Sequence, residues 1–567
     1  MQRRTAEAYD VVVVGSGAGG GMTAYALTKA GVRVLMLECG RDYDPARQIN
    51  MLGRDEDAPL LAVGNEDKPW GYHYATGGGG TEIPGEPYTH GEGTGFSWFR
   101  TRELGGRTNH WQRNSFRMGP RDFKPFSRDG LGVDWPMTYE EVAPWYDRVE
   151  GLLGVYGTNH GFDNHPDSPE EVLHTPPAPR VSDLVVAAAA EKFGMPCVPA
   201  RRMVLTKPMP DGRNACFWAS ACSRGCSIGA AFQSTTSLLP WAQATGLLDI
   251  VTDAMVYEVE TGADGRATGV TYIDKATGEH RSVRARIVAL AASAGETARI
   301  LLNSKSSRKP DGLANQGGQV GRNLTDTVGS KIVAQIPMLE NRPRYNEDGA
   351  MGIHVYIPFW EYDRMDRGEL DFPRGYHYET DGAFPAPGLG AGGTARFADG
   401  YGQSLKEDAR RYYGSVVEFN QRGEMIPNEK SFAEIDPEVR DAFGIPVLKF
   451  SFEHSQHEHN QVRHFRDATL GLIDALGGNV LEGAGEPEDM INMGGRVVHE
   501  VGTARMGDDP ETSALNAFGQ AWDVPNLFVM DGASFASKAH KNPTLTILAL
   551  AMRNTDHMIS LMKRGEL

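Results

Sequence analysis

The chain predicts an α/β protein in which a parallel sheet is assembled from separated segments and an antiparallel sheet is inserted between them. Three observations carry this. A strand, a glycine turn, a helix and a second strand follow one another over residues 9–40. The same alternation returns over residues 246–302, and short glycine-rich signatures resume from about residue 490. Between these blocks, residues 330–480 have a different texture, with many aromatics, prolines and isolated strands. At 567 residues the chain exceeds what one core organises, so two or three domains or subdomains are expected, and the segment pattern gives two. The first takes residues 1–130, 200–330 and 485–567, including a cysteine-rich loop at 214–230, and the second takes 131–199 and 331–484.

In chain order, residues 11–14 are a β-branched run, 22–29 are helix-competent, and 32–37 form a second strand ending at Glu38. Between strand and helix stands Gly15-x-Gly17-x-x-Gly20. The first glycine permits a tight turn and the second lets the backbone approach a pyrophosphate. The third lets helix and strand pack closely, and the helix N-terminus favours the anion. This is the fingerprint of a Rossmann-like dinucleotide site. Glu38 lies 18 residues past Gly20, where a carboxylate suits a ribose hydroxyl and repels a 2′-phosphate. Residues 41–98 read as a long glycine-rich loop, and such loops are uncommon unless functional. Gly105-Gly106-x-x-Asn109-His110-Trp111 returns toward the nucleotide. Residues 134–156 form an amphipathic helix after a Pro start. Strands then follow at 248–251, 256–260, 269–274 and 285–290, before a helix at 295–302.

Hydrophobic content of 40% with 23% charged residues is that of a globular protein, and no run approaches the ~18–20 apolar residues of a membrane span. A formal charge of −17 excludes a nucleic-acid partner, since nothing would offset phosphate repulsion. The first eight residues hold Arg3 and Arg4 but no apolar run of ~7–15, so no signal peptide is expected. Export on a partner stays open.

Two further groups bear chemistry. His499-x-x-Gly502-Thr503, Asp531-Gly532 and Asn542-Pro543-Thr544 cluster near the C-terminus. Histidine is the natural base for removing a hydroxyl proton, because its unperturbed pKa of about 6.5 lies near working pH. Asn542 cannot titrate there but can bind the same oxygen and orient it. His540, two residues earlier, is an alternative to Asn542. His454, His457 and His459 are expected on a solvated helix face rather than at a metal. Of the five cysteines, Cys216, Cys222 and Cys226 lie within eleven residues. Zinc ordinarily takes a tetrahedral set, for which no fourth ligand is evident, and a disulfide leaves one thiol over. Three thiolates on a glycine-bearing loop suit an iron–sulfur cluster, of the 3Fe–4S form, with buried reduced cysteines as the alternative. Cys39 reads as a small buried hydrophobe, and Cys197 as a fourth ligand only if the fold brings it close.

Taken together, these motifs resemble the glucose–methanol–choline (GMC) family of FAD oxidoreductases, from residue 9 to about residue 560 and most thinly over 330–480. The resemblance implies that Gly15, Gly17, Gly20 and Glu38 hold the ADP half of FAD and that Val256 meets the adenine end. It places Asp531 and Gly532 at the pyrophosphate and ribityl chain, with Gly106, Asn109, Pro543 and Thr544 also at the cofactor. His110 occupies the place where some relatives bond FAD covalently; here packing without a bond is expected. His499 would be the base and Asn542 its partner, with the flavin taking the hydride. Within the family the chain is similar to the glucoside 3-dehydrogenase branch. That implies oxidation of a secondary ring hydroxyl of sugars at carbon 3, with electrons leaving through a 3Fe–4S cluster held by Cys216, Cys222 and Cys226. It further implies a cytochrome c-type acceptor and a small co-exported subunit carrying the chain to the periplasm, with a cytoplasmic location as the alternative. The other readings are a pyranose 2-oxidase or sugar-acid 2-dehydrogenase, and more remotely an FAD-containing lyase.

Overall fold

The computed structural model describes residues 9–48, 79–218, 225–343, 355–382, 394–398 and 400–567. Residues 1–8, most of the 41–98 loop and Cys222 lie outside that set.

A seven-stranded sheet organises the nucleotide side. Leu248–Val251, Val34–Leu37, Tyr9–Val14 and Glu279–Leu290 run parallel in that order, and Leu527–Val529 adds alongside the last. Val11 and Val13 pack into one core with Leu27 and Met558; Val12 and Val14 pack into another with Tyr146 and Leu548. The strand is apolar at every position because both faces are covered. Glu279–Leu290 is longer than the expected 285–290. Its first half pairs antiparallel with Ala267–Asp274, and its second half pairs parallel with Tyr9–Val14. Burial follows this division, alternating over the first half and becoming almost continuous over the second. The exposed Glu279 and Arg284 and the half-buried Arg281 hide the first half from a hydrophobicity reading.

The glycine turn behaves as its spacing requires. Gly15 has φ +99°, and a Cβ there would lie 2.3 Å from the Ala291 carbonyl oxygen. A Cβ on Gly20 would lie 2.0 Å from the Gly15 carbonyl oxygen, so helix Ala18–Lys29 can sit on the turn only with glycine there. A Cβ on Gly17 would meet no protein atom within 4 Å.

The inserted sheet has six antiparallel strands, in the order Asn479–Glu482, Val328–Gln335, Val416–Gly423, Tyr376–Asp381, Val355–Ile357 and Val198–Pro199. Helix Gln456–Ala475 covers it, with Val462, Phe465 and Leu472 in one core with Ile332, Tyr378 and Phe419. His454 is not on this helix. The Ser455 hydroxyl accepts from the His457 N–H at 3.3 Å and Glu458 accepts from the Ser455 N–H at 2.6 Å, so this capping box starts the helix after His454. The His454 ring packs edge-on to Phe452, and burial pushes its pKa down to about 4. No described helix is long and apolar enough to cross a membrane.

Gly20→Val is expected to cost about 1–3 kcal/mol or to prevent folding, since the new side chain meets backbone. Gly17→Ala should stay within about 1 kcal/mol of the parent. Chemical denaturation of the two variants reads the difference.

Candidate functional site

A cavity of about 470 Å³ opens at the carboxyl ends of the parallel strands. One end is lined by Gly15, Gly17, Glu38 and Val256, and the middle by Gly106, His110, Asp531 and Gly532. At the far end stand His499, Asn542, Pro543 and Thr544, faced by Glu379 and Arg422 of the inserted sheet. Gly20 and Asn109 are behind the wall. The Asn109 amide donates to Glu103 Oε1 at 2.8 Å and accepts from Gln233 at 3.1 Å, which anchors the Gly105–Gly106 turn rather than facing the cavity.

At the nucleotide end, Glu38 accepts hydrogen bonds from the Ser16 N–H (3.1 Å), the Ser16 hydroxyl (2.5 Å) and the Gly40 N–H (2.8 Å). Burial raises its pKa, and those donors oppose the rise. Ser16 Oγ also accepts from the Gly105 N–H at 2.8 Å, tying the fingerprint to the returning loop. Asp531 accepts from the Ser293 N–H, the Thr297 hydroxyl and the Ala533 N–H. Helix Ala18–Lys29 has no side-chain cap, which leaves its first N–H groups beside the open space at Gly17. These residues fit a dinucleotide: the cradle is empty where a Cβ would stand, and donors converge on it. His110 lines the same wall, with Nε2 3.3 Å from Glu103 Oε1.

At the far end, His499 is fixed from both sides. Its N–H donates to Asp326 Oδ1 at 3.0 Å, and its Nδ1 lies 2.9 Å from the Thr327 hydroxyl. The preceding Val498 has φ +65°, a conformation that costs a β-branched residue on the order of 1–3 kcal/mol. Arg107 helps to hold it there, donating to the Val498 carbonyl at 3.2 Å while pairing with Glu500 at 2.6 Å. Burial pushes the His499 pKa well below its usual value; Lys538, Arg422 and Arg107 push the same way, and Glu379 opposes them. The ring is therefore neutral near pH 7, the form a base requires.

Asn542 donates its amide nitrogen to Glu379 Oε1 at 3.0 Å. An ionised carboxylate can only accept, so the orientation of the amide is fixed. Glu379 also accepts from Asn114 at 2.6 Å and pairs with Arg422 at 2.9 Å. Burial would raise the Glu379 carboxyl, but Arg422, His377 and His499 hold it below the usual carboxylate range. His540 turns away from the cavity, its ring meeting His377 and Tyr362. Glu379, Arg422, Asp326 and Thr327 escape the sequence reading because no spacing links them to the glycine motifs. The one hint is a glutamate in the aromatic strand Tyr376–Asp381.

Cys226 is buried in one small cluster with Tyr43, Tyr156 and Val204, and the partly buried Cys216 packs against it. The sulfurs of Cys216 and Cys226 accept from the Trp218 and Ala231 N–H groups at 3.3 and 3.4 Å, respectively. Cys197 packs against the core of the inserted sheet, and burial pushes its thiol up to about 12. Cys39 packs with Met255 and Ile273, pushed up to about 11. Among the described residues no three His, Cys, Asp or Glu side chains gather as a metal site.

The N-terminal GMC oxidoreductase family model matches residues 12–328 and the C-terminal one residues 427–551. The chain is 30% identical to 2-methyl-1,2-propanediol dehydrogenase of Mycolicibacterium austroafricanum, over 98% of this chain and 96% of that protein. It is 28% identical to the fructose dehydrogenase large subunit of Gluconobacter japonicus, over 98% of each. Among solved structures it resembles pyridoxine 4-oxidase from Mesorbium loti, with a TM-score of 0.63 at 16% identity over 97% of this chain and 99% of that one. That last likeness speaks for the fold.

Two outcomes follow from the electrostatics. The acid limb of kcat/KM for alcohol oxidation should lie below pH 6.5, because a depressed pKa keeps His499 unprotonated to lower pH; a pH–rate profile with its limb at or above 6.5 would contradict this. Glu379→Ala should destabilise the fold by about 3–5 kcal/mol in a denaturant titration, since it leaves Arg422 without its partner.

Proposed function

This chain belongs to the GMC oxidoreductases, FAD enzymes acting on CH–OH groups, and from that premise we propose that it is a dehydrogenase oxidising a secondary ring hydroxyl of a sugar or glycoside to the keto-sugar, at carbon 3. The observation that carries the reading is that His499 and Asn542 share one cavity with the Gly15–Gly17 turn. Gly15, Gly17, Glu38, Val256 and Asp531 would hold FAD, which when bound supplies the hydride acceptor. A base at Nε2 requires the hydrogen on Nδ1, which the Thr327 hydroxyl oxygen 2.9 Å away can accept; the His499 lone pair on Nε2 then takes the hydroxyl proton. Asn542, held by Glu379, keeps a second amide hydrogen for the substrate oxygen. Arg422 and Glu379 present a fixed ion pair to the polar face of a sugar. A diol and a ketose in the names of two full-length relatives support a polyhydroxylated substrate.

The proposal extends to electron exit. Cys216, Cys222 and Cys226 would hold a 3Fe–4S cluster passing electrons to a protein acceptor such as a cytochrome c. Two things support it: the spacing, and the packing of the two outer cysteines at one cluster, with their sulfurs accepting N–H bonds. A small co-exported subunit and a periplasmic location complete the reading; one relative's being named a large subunit supports a subunit partnership.

Low-temperature EPR and visible spectra of anaerobic protein, before and after methyl glucoside, test both parts. A 3Fe–4S signal lost as the flavin bleaches is expected. Bleaching without an iron signal would leave a sugar oxidase, and no bleaching would reject the substrate. His499→Ala should slow bleaching about a hundredfold or more. Cys222→Ser should leave bleaching intact and slow transfer to a protein acceptor.

A further inference from the structure

Behind Asn542 lies a line of buried polar groups that the proposed chemistry does not use. From Glu379 it passes to His377, whose Nε2 is 3.6 Å from Glu379 Oε1. His377 Nδ1 is 3.2 Å from His540 Nδ1, and His540 Nε2 is 2.9 Å from the Tyr362 hydroxyl. Tyr362 accepts from the Asn164 amide at 3.2 Å, and that amide also donates to Asp122 at 2.8 Å. All six side chains are buried.

Their chemistry fixes one direction. Glu379 is ionised and cannot donate, and a lone pair facing it would be repelled, so the hydrogen of His377 sits on Nε2. Neutral His377 then has its lone pair on Nδ1 and must accept from His540 Nδ1–H. Neutral His540 therefore has its lone pair on Nε2 and accepts from the Tyr362 hydroxyl. At the other end, the Asn164 nitrogen is the donor toward Asp122, so Tyr362 must accept there and spend its own hydrogen on His540. Both ends demand the same polarity. Burial keeps both imidazoles neutral, as the argument needs.

We propose that His377, His540 and Tyr362 are positioning residues: hydrogen bonds running one way from Tyr362 through His540 to His377 keep the Nε2–H of His377 turned toward Glu379, 3.6 Å away, and the field of that N–H on the carboxylate helps hold the Asn542 amide in its working orientation. The role in catalysis rests on the reading of His499 and Asn542 as the active pair. Broken anywhere, the chain frees His377 to turn its lone pair toward Glu379, and the anchor of Asn542 loosens without any change in the cavity wall.

The test uses the FAD-loaded protein and methyl glucoside. His540→Leu and Tyr362→Phe break the chain from two different elements, and each should lower the rate of flavin reduction about tenfold with KM within about twofold of the parent. His540→Gln retains one acceptor and one donor and should restore most of the rate. Equal rates in the Leu and Gln variants, or a Tyr362→Phe rate equal to the parent, would overturn the positioning role. Independently, 15N spectra of histidine-labelled protein, assigned by single substitutions, should show His377 protonated on Nε2 and His540 on Nδ1. The opposite pair of tautomers overturns the one-way chain even if the sugar is oxidised. Absence of flavin reduction in the parent would overturn the function, and the positioning role with it, leaving the chain's direction to the 15N result.

Discussion

The site depends on one buried anion. Glu379 sits on a strand of the inserted sheet, and besides His377 of its own strand its partners come from three other places: Asn114 from the segment after the returning loop, Arg422 from the next strand, and Asn542 from the C-terminal segment. A carboxylate removed from water is tolerated only if well paired, and here pairing also ties the inserted sheet to the segments that carry Asn114 and Asn542. The same charge fixes an amide that would otherwise be free to turn over. Stability and geometry at the far end of the cavity are thus set by a single ionisation.

The nucleotide half was legible because backbone sterics write themselves into sequence. Gly15 and Gly20 are glycines for contacts of about two ångströms that no side chain could survive, and Gly17 is open for the opposite reason. Such constraints are local, so spacing alone reveals them. His499 and Asn542 were legible only as members of a motif, since nothing in a lone histidine or asparagine marks it. Glu379, Arg422, Asp326 and Thr327 were not legible: each is functional through partners tens to hundreds of residues away, and no local pattern records that. His454 illustrates the converse. Histidines at close spacing suggested a helix face, but Ser455 with Glu458 is a stronger start signal and cut His454 off from the helix.

Strain and burial are concentrated on the same side of the cavity. Val498 in a left-handed conformation, a neutral buried His499 and a deprotonated buried Glu379 are each unfavourable alone. They persist because Arg107, Thr327, Asp326 and Arg422 hold them from several directions at once. The nucleotide end holds its unpaired helix terminus and backbone donors instead, which suits a surface waiting for a ligand. The division matches the two tasks, tight binding at one end and poised reactivity at the other.

The twelve-residue strand Glu279–Leu290 carries a further consequence. Its first half pairs with Ala267–Asp274, the strand that in turn pairs with Val256, and its second half belongs to the parallel core beside the glycine turn. A continuous strand cannot hinge between the two, so the adenine-end wall and the phosphate cradle are one rigid body before anything binds. Uptake of a dinucleotide then requires little ordering of this part of the wall. The ordering cost of that wall is met before binding, which favours affinity for the ligand.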